Sequence, residues 1–385
     1  MNLFCKIVLA GLLPLGLIIG SCKKESAGAG GSVTPPVSPP VVYDWGKSAD
    51  SAQQALNTQF WSATEQYYNQ DDNGNKGFNY WWNAHALDVL VDGYNRTKDP
   101  AYTAQMDALL NGMYKKNGNK WTNNFYDDME WMALASLRAY VATQNTKYKD
   151  LTDLLWTAIK GGWTTVNGGG IMWEKNSPNS KNACSNGPAI ILASRLYKLY
   201  GNAADLDWAK KIYAWQRASL VEAARGVVWD GYGNTSESAL YTYNQGTWLG
   251  AALELYTITK DQQCIKDAIR NANYIMNDAQ KFSPNGILKG ENTGDGGLFK
   301  GIFIRYFTQL VLMGDLDAYT KSVYLKYLKA NGASLLGKAV WLPEYVFSPD
   351  WSTKPTSAKS DCSVQLSGIM LLEAIDQLKR LGMYN

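Results

Sequence analysis

Two adjacent aspartates, Asp127 and Asp128, open a stretch that is otherwise aromatic and aliphatic: Asn124-Phe125-Tyr126-Asp127-Asp128-Met129-Glu130-Trp131-Met132-Ala133-Leu134-Ala135. A carboxylate in such surroundings costs free energy unless it is paired or hydrogen-bonded. Two neighbouring carboxylates repel, so one of them keeps its proton to a higher pH. A protonated acid beside an ionised carboxylate is the pair that glycoside hydrolysis uses. The same residues also fit a structural role, with Asp127 as a helix N-cap and Asp128 as a first-turn carboxylate complementing the helix dipole. Glu130, one turn further on, is a candidate to orient a partner or to make a structural hydrogen bond.

The elements that must position this pair are helical. From Asp44 onward, amphipathic segments alternate with more apolar ones, separated by stretches rich in Gly and Asn. The amphipathic segments are Ser48–Tyr68, Pro100–Lys116, Tyr148–Lys160, Ala204–Ala223, Asp261–Gln280 and Ala318–Asn331. The apolar ones are Tyr80–Asn95, Asp127–Ala142, Ser185–Tyr200, Tyr243–Thr257, Gly297–Met313 and Asp361–Leu381. Apolar residues recur at helical spacing within them, as in Ile191, Leu192, Leu196 and Leu199. No alternating strand run exceeds a few residues. Helices apolar nearly all round belong inside and amphipathic ones outside. The expectation is an all-α (α/α)6 barrel of six inner and six outer helices over 44–385. An open solenoid would need shorter and more regular repeats than the roughly 45–65 residues between apolar helices.

The loops before the apolar helices carry aromatics, amides and carboxylates. They include Gly77–Asn83, Trp121–Asp128, Gly168–Glu174, Lys181–Gly187, Val228–Gly231, Leu240–Gly246 and Thr293–Gly301. In a helical barrel they converge on one end, where a rigid scaffold lets loops carry function.

Composition agrees with a sugar site and excludes others. There are 15 Trp and 24 Tyr, rings that either pack on sugar faces or fill a large core. Net charge is +3, with no basic run to suggest nucleic acid. The single histidine, His85, rules out a three-histidine zinc site and strains any Ser-His-Asp triad. A satisfied, partly buried side chain is expected for it. Cys184, Cys264 and Cys362 lie far apart and form neither a disulfide framework nor a zinc pattern. Asp71-Asp72-Asn73-Gly74-Asn75 lacks the bidentate Glu of a calcium loop and reads as a turn. No metal and no cofactor are expected.

The N-terminus has signal-peptide proportions: Lys6 precedes an apolar run from Ile7 to Ile19. Ile19-Gly20-Ser21-Cys22 resembles a bacterial lipobox, which implies that 1–21 is a leader and that Cys22 becomes a lipidated N-terminus. Residues 22–43 continue as a Ser-, Gly- and Pro-rich tether. The expected setting is an outer-membrane lipoprotein on the periplasmic or cell-surface face, working as a monomer.

With the Asp pair in place, three further motifs become informative: Gly169-Gly170-Ile171-Met172-Trp173, Asn182-Ala183-Cys184-Ser185-Asn186-Gly187-Pro188 and Tyr243-Asn244-Gln245-Gly246. In this order, over roughly 44–381, the chain resembles glycoside hydrolase family 76, the endo-α-1,6-mannanases. The resemblance implies an (α/α)6 barrel that cleaves α-1,6-linked mannan with retention, Asp127 being the nucleophile and Asp128 the general acid/base. Chemistry agrees. Retention needs carboxyls about 5–5.5 Å apart and inversion about 6.5–9.5 Å. Adjacent residues, with Cα atoms about 3.8 Å apart, diverge to the shorter span more readily than to the longer.

Around the pair, Asp230 is a candidate for a sugar hydroxyl or a turn carboxylate. Tyr241, Asn244, Gln245 and Asn186 are candidates for sugar hydroxyls or for helix capping. Trp82, Trp173 and Phe299 are candidate stacking platforms or core. Asp295 and Lys300 flank a glycine-rich turn and are expected to line the cleft, with Asn83 and Tyr126 beside them. Rival readings are another (α/α)6 glycosidase, a transglycosylase and a non-catalytic glycan-binding lipoprotein. A uronic-acid enzyme should place basic residues in these loops, where only Lys181 and Lys300 stand out.

Overall fold

The computed structural model describes residues 42–384. The leader, Cys22 and nearly all of the tether lie outside the described residues. Twelve α-helices dominate: α1 Trp45–Phe60, α2 Tyr80–Thr97, α3 Pro100–Lys116, α4 Tyr126–Thr143, α5 Thr146–Lys160 and α6 Gly187–Tyr200, then α7 Ala203–Ser219, α8 Thr242–Thr259, α9 Gln262–Asn277, α10 Gly296–Met313, α11 Ala318–Lys338 and α12 Cys362–Arg380. The even-numbered helices form a closed ring, each packing on the next and α12 returning to α2. The odd-numbered helices pack outside them. This is the (α/α)6 barrel. No helix among the described residues is long and apolar enough to cross a membrane.

Burial follows the apolar pattern. α8 buries residues on every side, from Thr242 to Tyr256. Outer α9 buries one stripe, Cys264, Ile265, Ala268, Asn271, Ala272 and Ile275, at the spacing of one helix face.

The two ends of the ring are built differently. Where inner helices stop, α2, α4, α6 and α8 end on a left-handed residue: Lys98, Gln144, Gly201 and Lys260. The next residue, Asp99, Asn145, Asn202 or Asp261, accepts a hydrogen bond from the first turn of the following outer helix. Two-residue turns therefore close that end. At the other end the connections are long, and α4, α6, α8, α10 and α12 begin with no side-chain cap. Their N–H groups and positive dipole ends stay available to what the loops place there.

Helix limits depart furthest from expectation in three places. α1 stops at Phe60, and the segment through Tyr68 becomes a hairpin of β1 (Trp61–Ser62) and β2 (Tyr67–Tyr68), turned by Gln66 at φ 59°. α7 stops at Ser219, because Val221 pairs with Val228 and leads the chain back towards Asp230. α11 continues to Lys338, past Asn331, before the hairpin of β3 (Val340–Trp341) and β4 (Val346–Phe347).

Candidate active site

Backbone pairing sets the position of the acid pair. Phe125 bridges Glu174, Tyr126 N–H donates to Trp173 O at 2.9 Å, and Lys175 N–H donates to Asn124 O at 2.8 Å. The entry to α4 is thereby zipped to the loop carrying Trp173. That loop turns through Gly169 and Gly170 at φ 139° and 88°. A Cβ on Gly170 would lie 2.7 Å from the Trp215 ring, so no larger residue fits there. Trp173 Nε1 then donates to Asp127 Oδ2 at 3.2 Å, and Asn123 Nδ2 donates to Asp128 Oδ2 at 2.6 Å.

The pair lies in a cleft of about 860 Å³ at the N-terminal ends of the inner helices. Trp81, Phe125, Trp131, Trp173, Tyr241, Tyr243 and Phe299 supply aromatic surface, and Asn182, Asp230, Glu291 and Asp295 supply polar groups. Phe299 stacks on Tyr243 at 4.1 Å and lies 6.3 Å from Trp81, forming one aromatic wall; Phe125 and Trp173, 5.0 Å apart, form another.

Burial raises Asp127 to about 6, against hydrogen bonds from Cys184 and Trp173 that favour its ionised form. Asp128 is pushed well above the carboxylate range, by burial first and by the charge of Asp127 second; Asn123 opposes this and Asp295 adds to it. Asp127 Oδ1 is buried without a hydrogen-bond partner among the described residues. The pair therefore suits one ionised and one protonated carboxyl in weakly acidic solution. Glu130, fully buried with neither oxygen partnered among the described residues, is held neutral by burial and by Asp127. His85 is buried beside Trp81 and Trp131, its Nε2 lacks a partner among the described residues, and burial lowers it to about 3.

The expected subsite residues divide into two groups. Trp173, Asp230, Tyr241, Asp295 and Phe299 line the cleft with Asp127 and Asp128. The others have different partners. Asn83 is buried and clamps Tyr68, accepting from its N–H at 2.8 Å and donating to its C=O at 3.1 Å. Asn186 holds Ile171 in the same two-point way, at 2.8 and 3.0 Å, and Gln245 holds Val228, at 2.8 Å for both bonds. These amides, near the starts of α2, α6 and α8, fix the preceding loops and do not line the cleft. Asn244 stands behind the cleft surface and donates to Asp230 Oδ1 at 2.9 Å. Trp82 is buried, its Nε1 2.8 Å from Asp295 Oδ1. Tyr126 packs its ring against Gly162. Lys300 does not line the cleft: its Nζ donates to Pro349 O and lies 4.5 Å from the Trp351 ring centroid. Lys181 likewise turns inward to Thr164 and Gly170.

Cleft residues that sequence reasoning did not single out include Trp81, Trp131, Asn182, Cys184, Tyr243 and Glu291, and Asn123 joins them as the donor to Asp128. Asn123 had a signal, an amide at the mouth of the acid-bearing helix. Glu291 had none, since it precedes the glycine-rich turn by several residues. Its oxygens accept from Thr242 N–H at 3.0 Å and from the Thr242 hydroxyl, and burial raises it to about 7. At Asp71–Asn75, Asp71 Oδ1 accepts from the N–H groups of Asn73 and Asn75, as in a polar turn. No cluster of metal-ligating side chains occurs among the described residues.

The model of glycosyl hydrolase family 76 matches residues 44–374. The chain belongs to that family. Among solved family 76 structures, an inactive variant of the α-1,6-mannanase GH76A of Salegentibacter sp. HEL1_6 has two consecutive aspartates replaced by asparagine and is in complex with α-1,6-mannotriose. This chain is 42% identical to it, with a TM-score of 0.83 over 87% of this chain and 100% of that one. A family 76 α-mannanase from Bacteroides thetaiotaomicron, 19% identical, shares the fold with a TM-score of 0.74 over 89% of this chain and 98% of that one. The mannan endo-1,6-α-mannosidase DCW1 of Candida albicans is 29% identical over 297 residues, which cover 66% of this chain and 63% of that protein. The chain thus spans less than two-thirds of the length of the curated relatives it matches.

Proposed function

We propose that this family 76 protein is an endo-acting α-1,6-mannanase that hydrolyses the α-1,6-linked mannan backbone with retention and without a cofactor. The supporting observation is the Asp127–Asp128 pair, adjacent and shifted upward together in a cleft walled by aromatic rings. The Salegentibacter variant, inactive with two consecutive aspartates changed and still holding α-1,6-mannotriose, adds to it.

In the first step Asp127 attacks C1 of the mannosyl unit. The C1–O bond breaks as Asp128 gives its proton to the leaving oxygen, and a glycosyl ester forms on Asp127. Esterification removes the Asp127 charge that holds the proton on Asp128, so Asp128 becomes able to act as a base. In the second step it takes a proton from water, the water oxygen bonds C1, and Asp127 leaves as a carboxylate. Asp230, held by Asn244 and Asn182, fits a sugar hydroxyl; Trp173, Tyr241 and Phe299 fit sugar faces. The deciding experiment is digestion of debranched α-1,6-mannan by residues 43–385, followed by chromatography and anomeric NMR. Oligosaccharides released first as α-anomers, and lost in Asp127→Asn and Asp128→Asn, are expected. Binding without cleavage by the unaltered protein would replace this reading with a glycan-binding role, and transfer to an added acceptor would indicate a transglycosylase.

The same reading places 1–21 as a leader, Cys22 as the lipidated residue, 22–43 as a tether and 44–385 as a monomeric catalytic domain on the outer membrane. Its support is the Gly20-Ser21-Cys22 motif and the composition that follows it. Metabolic labelling with a fatty acid, lost in Cys22→Ser, tests it.

A further inference from the structure

Among the described residues five carboxyls, those of Asp127, Asp128, Asp230, Glu291 and Asp295, line the cleft, and no Lys, Arg or His lines it with them. Each accepts from neutral donors only. An indole holds Asp127, an amide holds Asp128, and Thr242 holds Glu291. Asn244 and Asn182 hold Asp230 at 2.9 and 3.4 Å. The indole N–H groups of Trp81 and Trp82 hold Asp295 Oδ1 at 3.1 and 2.8 Å. Both loop lysines point elsewhere. Lys181 is fixed on Thr164 and Gly170, while Lys300 sits behind Glu291, where burial lowers it to about 7. Positive potential reaches the cleft as the partial charges of uncapped helix starts and, from behind Glu291, from Lys300 and Lys281, neither of which lines it.

Two of these carboxyls suffice to break a glycosidic bond. Bond breaking does not need the other three, and they add negative charge where they ionise: burial raises Glu291 to about 7 and pushes Asp230 upward, so their share grows with pH. We infer that the cleft is a charge filter, accepting neutral or cationic α-1,6-mannosides and rejecting those that carry phosphate or carboxylate next to the scissile bond. The inference rests on the mannanase reading above and narrows its substrate class. An anionic substituent entering here loses water and meets no cation in exchange. Close to a carboxylate it also meets like-charge repulsion, which is several-fold stronger near a protein surface than in bulk water. An ammonium group in the same place gains by the same interactions.

The test uses three α-1,6-mannotriosides that differ only in a 2-hydroxyethyl, 2-aminoethyl or 2-phosphoethyl aglycone, cleaved by residues 43–385. At low salt, kcat/KM for the phosphoethyl probe should fall about ten-fold or more below that for the hydroxyethyl probe, and the aminoethyl probe should equal or exceed it. Molar salt should shrink the gap. Asp295→Asn, which keeps an oxygen for the two indoles, should shrink it several-fold. Equal cleavage of all three probes would overturn the filter alone. A phosphate penalty that neither salt nor Asp295→Asn reduces would also overturn it, in favour of steric exclusion. No cleavage of the neutral probe would overturn the mannanase reading and the filter with it.

Discussion

The two ends of the barrel handle buried carboxylates in opposite ways. At the cleft, five carboxyls are held by indoles, amides and a threonine. From the middle of the inner helices to their C-terminal ends, Asp88 and Asp92 of α2 share Arg138 of α4 and Arg305 of α10, and Glu254 of α8 meets Arg195 and Lys198 of α6. Burial pushes Asp88 upward, yet the two guanidiniums outweigh it and bring it to about 2. Glu254 is lowered by the same balance, although Glu373, beside Arg96, is one exception in which burial wins. Asp127 has burial without a cation and rises to about 6. One residue type in one ring of helices thus becomes a permanent anion at one end and a proton carrier at the other. The partner decides which: a guanidinium fixes the charge, whereas a neutral donor leaves it free to change during a reaction.

The largest expected effect lies at the cleft. Asp127→Asn and Asp128→Asn should each lower kcat on α-1,6-mannan by about 10³-fold or more, since each removes a group that forms or transfers a bond in both steps. Circular dichroism should show the fold unchanged. Arg138→Met should do the reverse. It leaves Asp88 and Asp92 buried with only Arg305, a loss of about 3–5 kcal/mol in urea unfolding, while the folded protein keeps its kcat. A large kcat loss in Arg138→Met, at matched folded fraction, would show that the two ends are not separable.

The comparison sharpens with pH. Asp127 is raised on folding, so it costs stability once the pH exceeds the unfolded carboxyl value, and that cost grows as pH rises through about 6. Asp127→Asn should therefore stabilise the protein at pH 7 by on the order of 1–3 kcal/mol and gain almost nothing at pH 4. Asp88 is lowered on folding, so its contribution is present above the ordinary carboxyl range and fades as pH falls towards 2. Activity should then disappear on an acidic limb near pH 6, while thermal unfolding shows the barrel intact well below it. If activity and fold were lost together, the separation would fail.

Much of this was legible from residue order. Inner helices were recognisable because a helix buried on all sides has no polar stripe, and the outer ones because they have one. The acid pair was legible because charge rarely interrupts such a run. The amides before and at the inner-helix starts were not separable, since Asn83, Asn186 and Gln245 stand in the same kind of sequence stretch as Asn123 and Asn182. Only the folded chain shows which amides point back to clamp a backbone residue and which point forward to a carboxylate. Lys300 was misleading for a related reason. One residue from Phe299, it lies on another face of α10, and its long side chain reaches Pro349 behind the wall. The turns at the closed end were legible in retrospect: Lys98-Asp99, Gln144-Asn145, Gly201-Asn202 and Lys260-Asp261 each join a left-handed stop to a capping residue.

The smallest effect concerns how a neutral donor tunes an acid. Asn123 Nδ2 donates to Asp128 Oδ2 at 2.6 Å, and its Oδ1 accepts from Phe125 N–H at 2.9 Å. The first bond favours ionised Asp128 and opposes the burial that raises it. Asn123→Ala should therefore move the alkaline limb of kcat/KM upward, since Asp128 holds its proton longer. It should also lower kcat about ten-fold where the first step limits the rate, because a weaker acid gives its proton to the leaving oxygen less readily. Asn123→Asp keeps the contact to Phe125 but sets a third carboxylate against Asp128, and it should move the limb the same way and further. A downward shift in either variant would mean that Asn123 steadies the protonated form of Asp128. The contrast between the ends would then weaken, because a neutral donor would be fixing a protonation state much as arginine fixes one at the closed end.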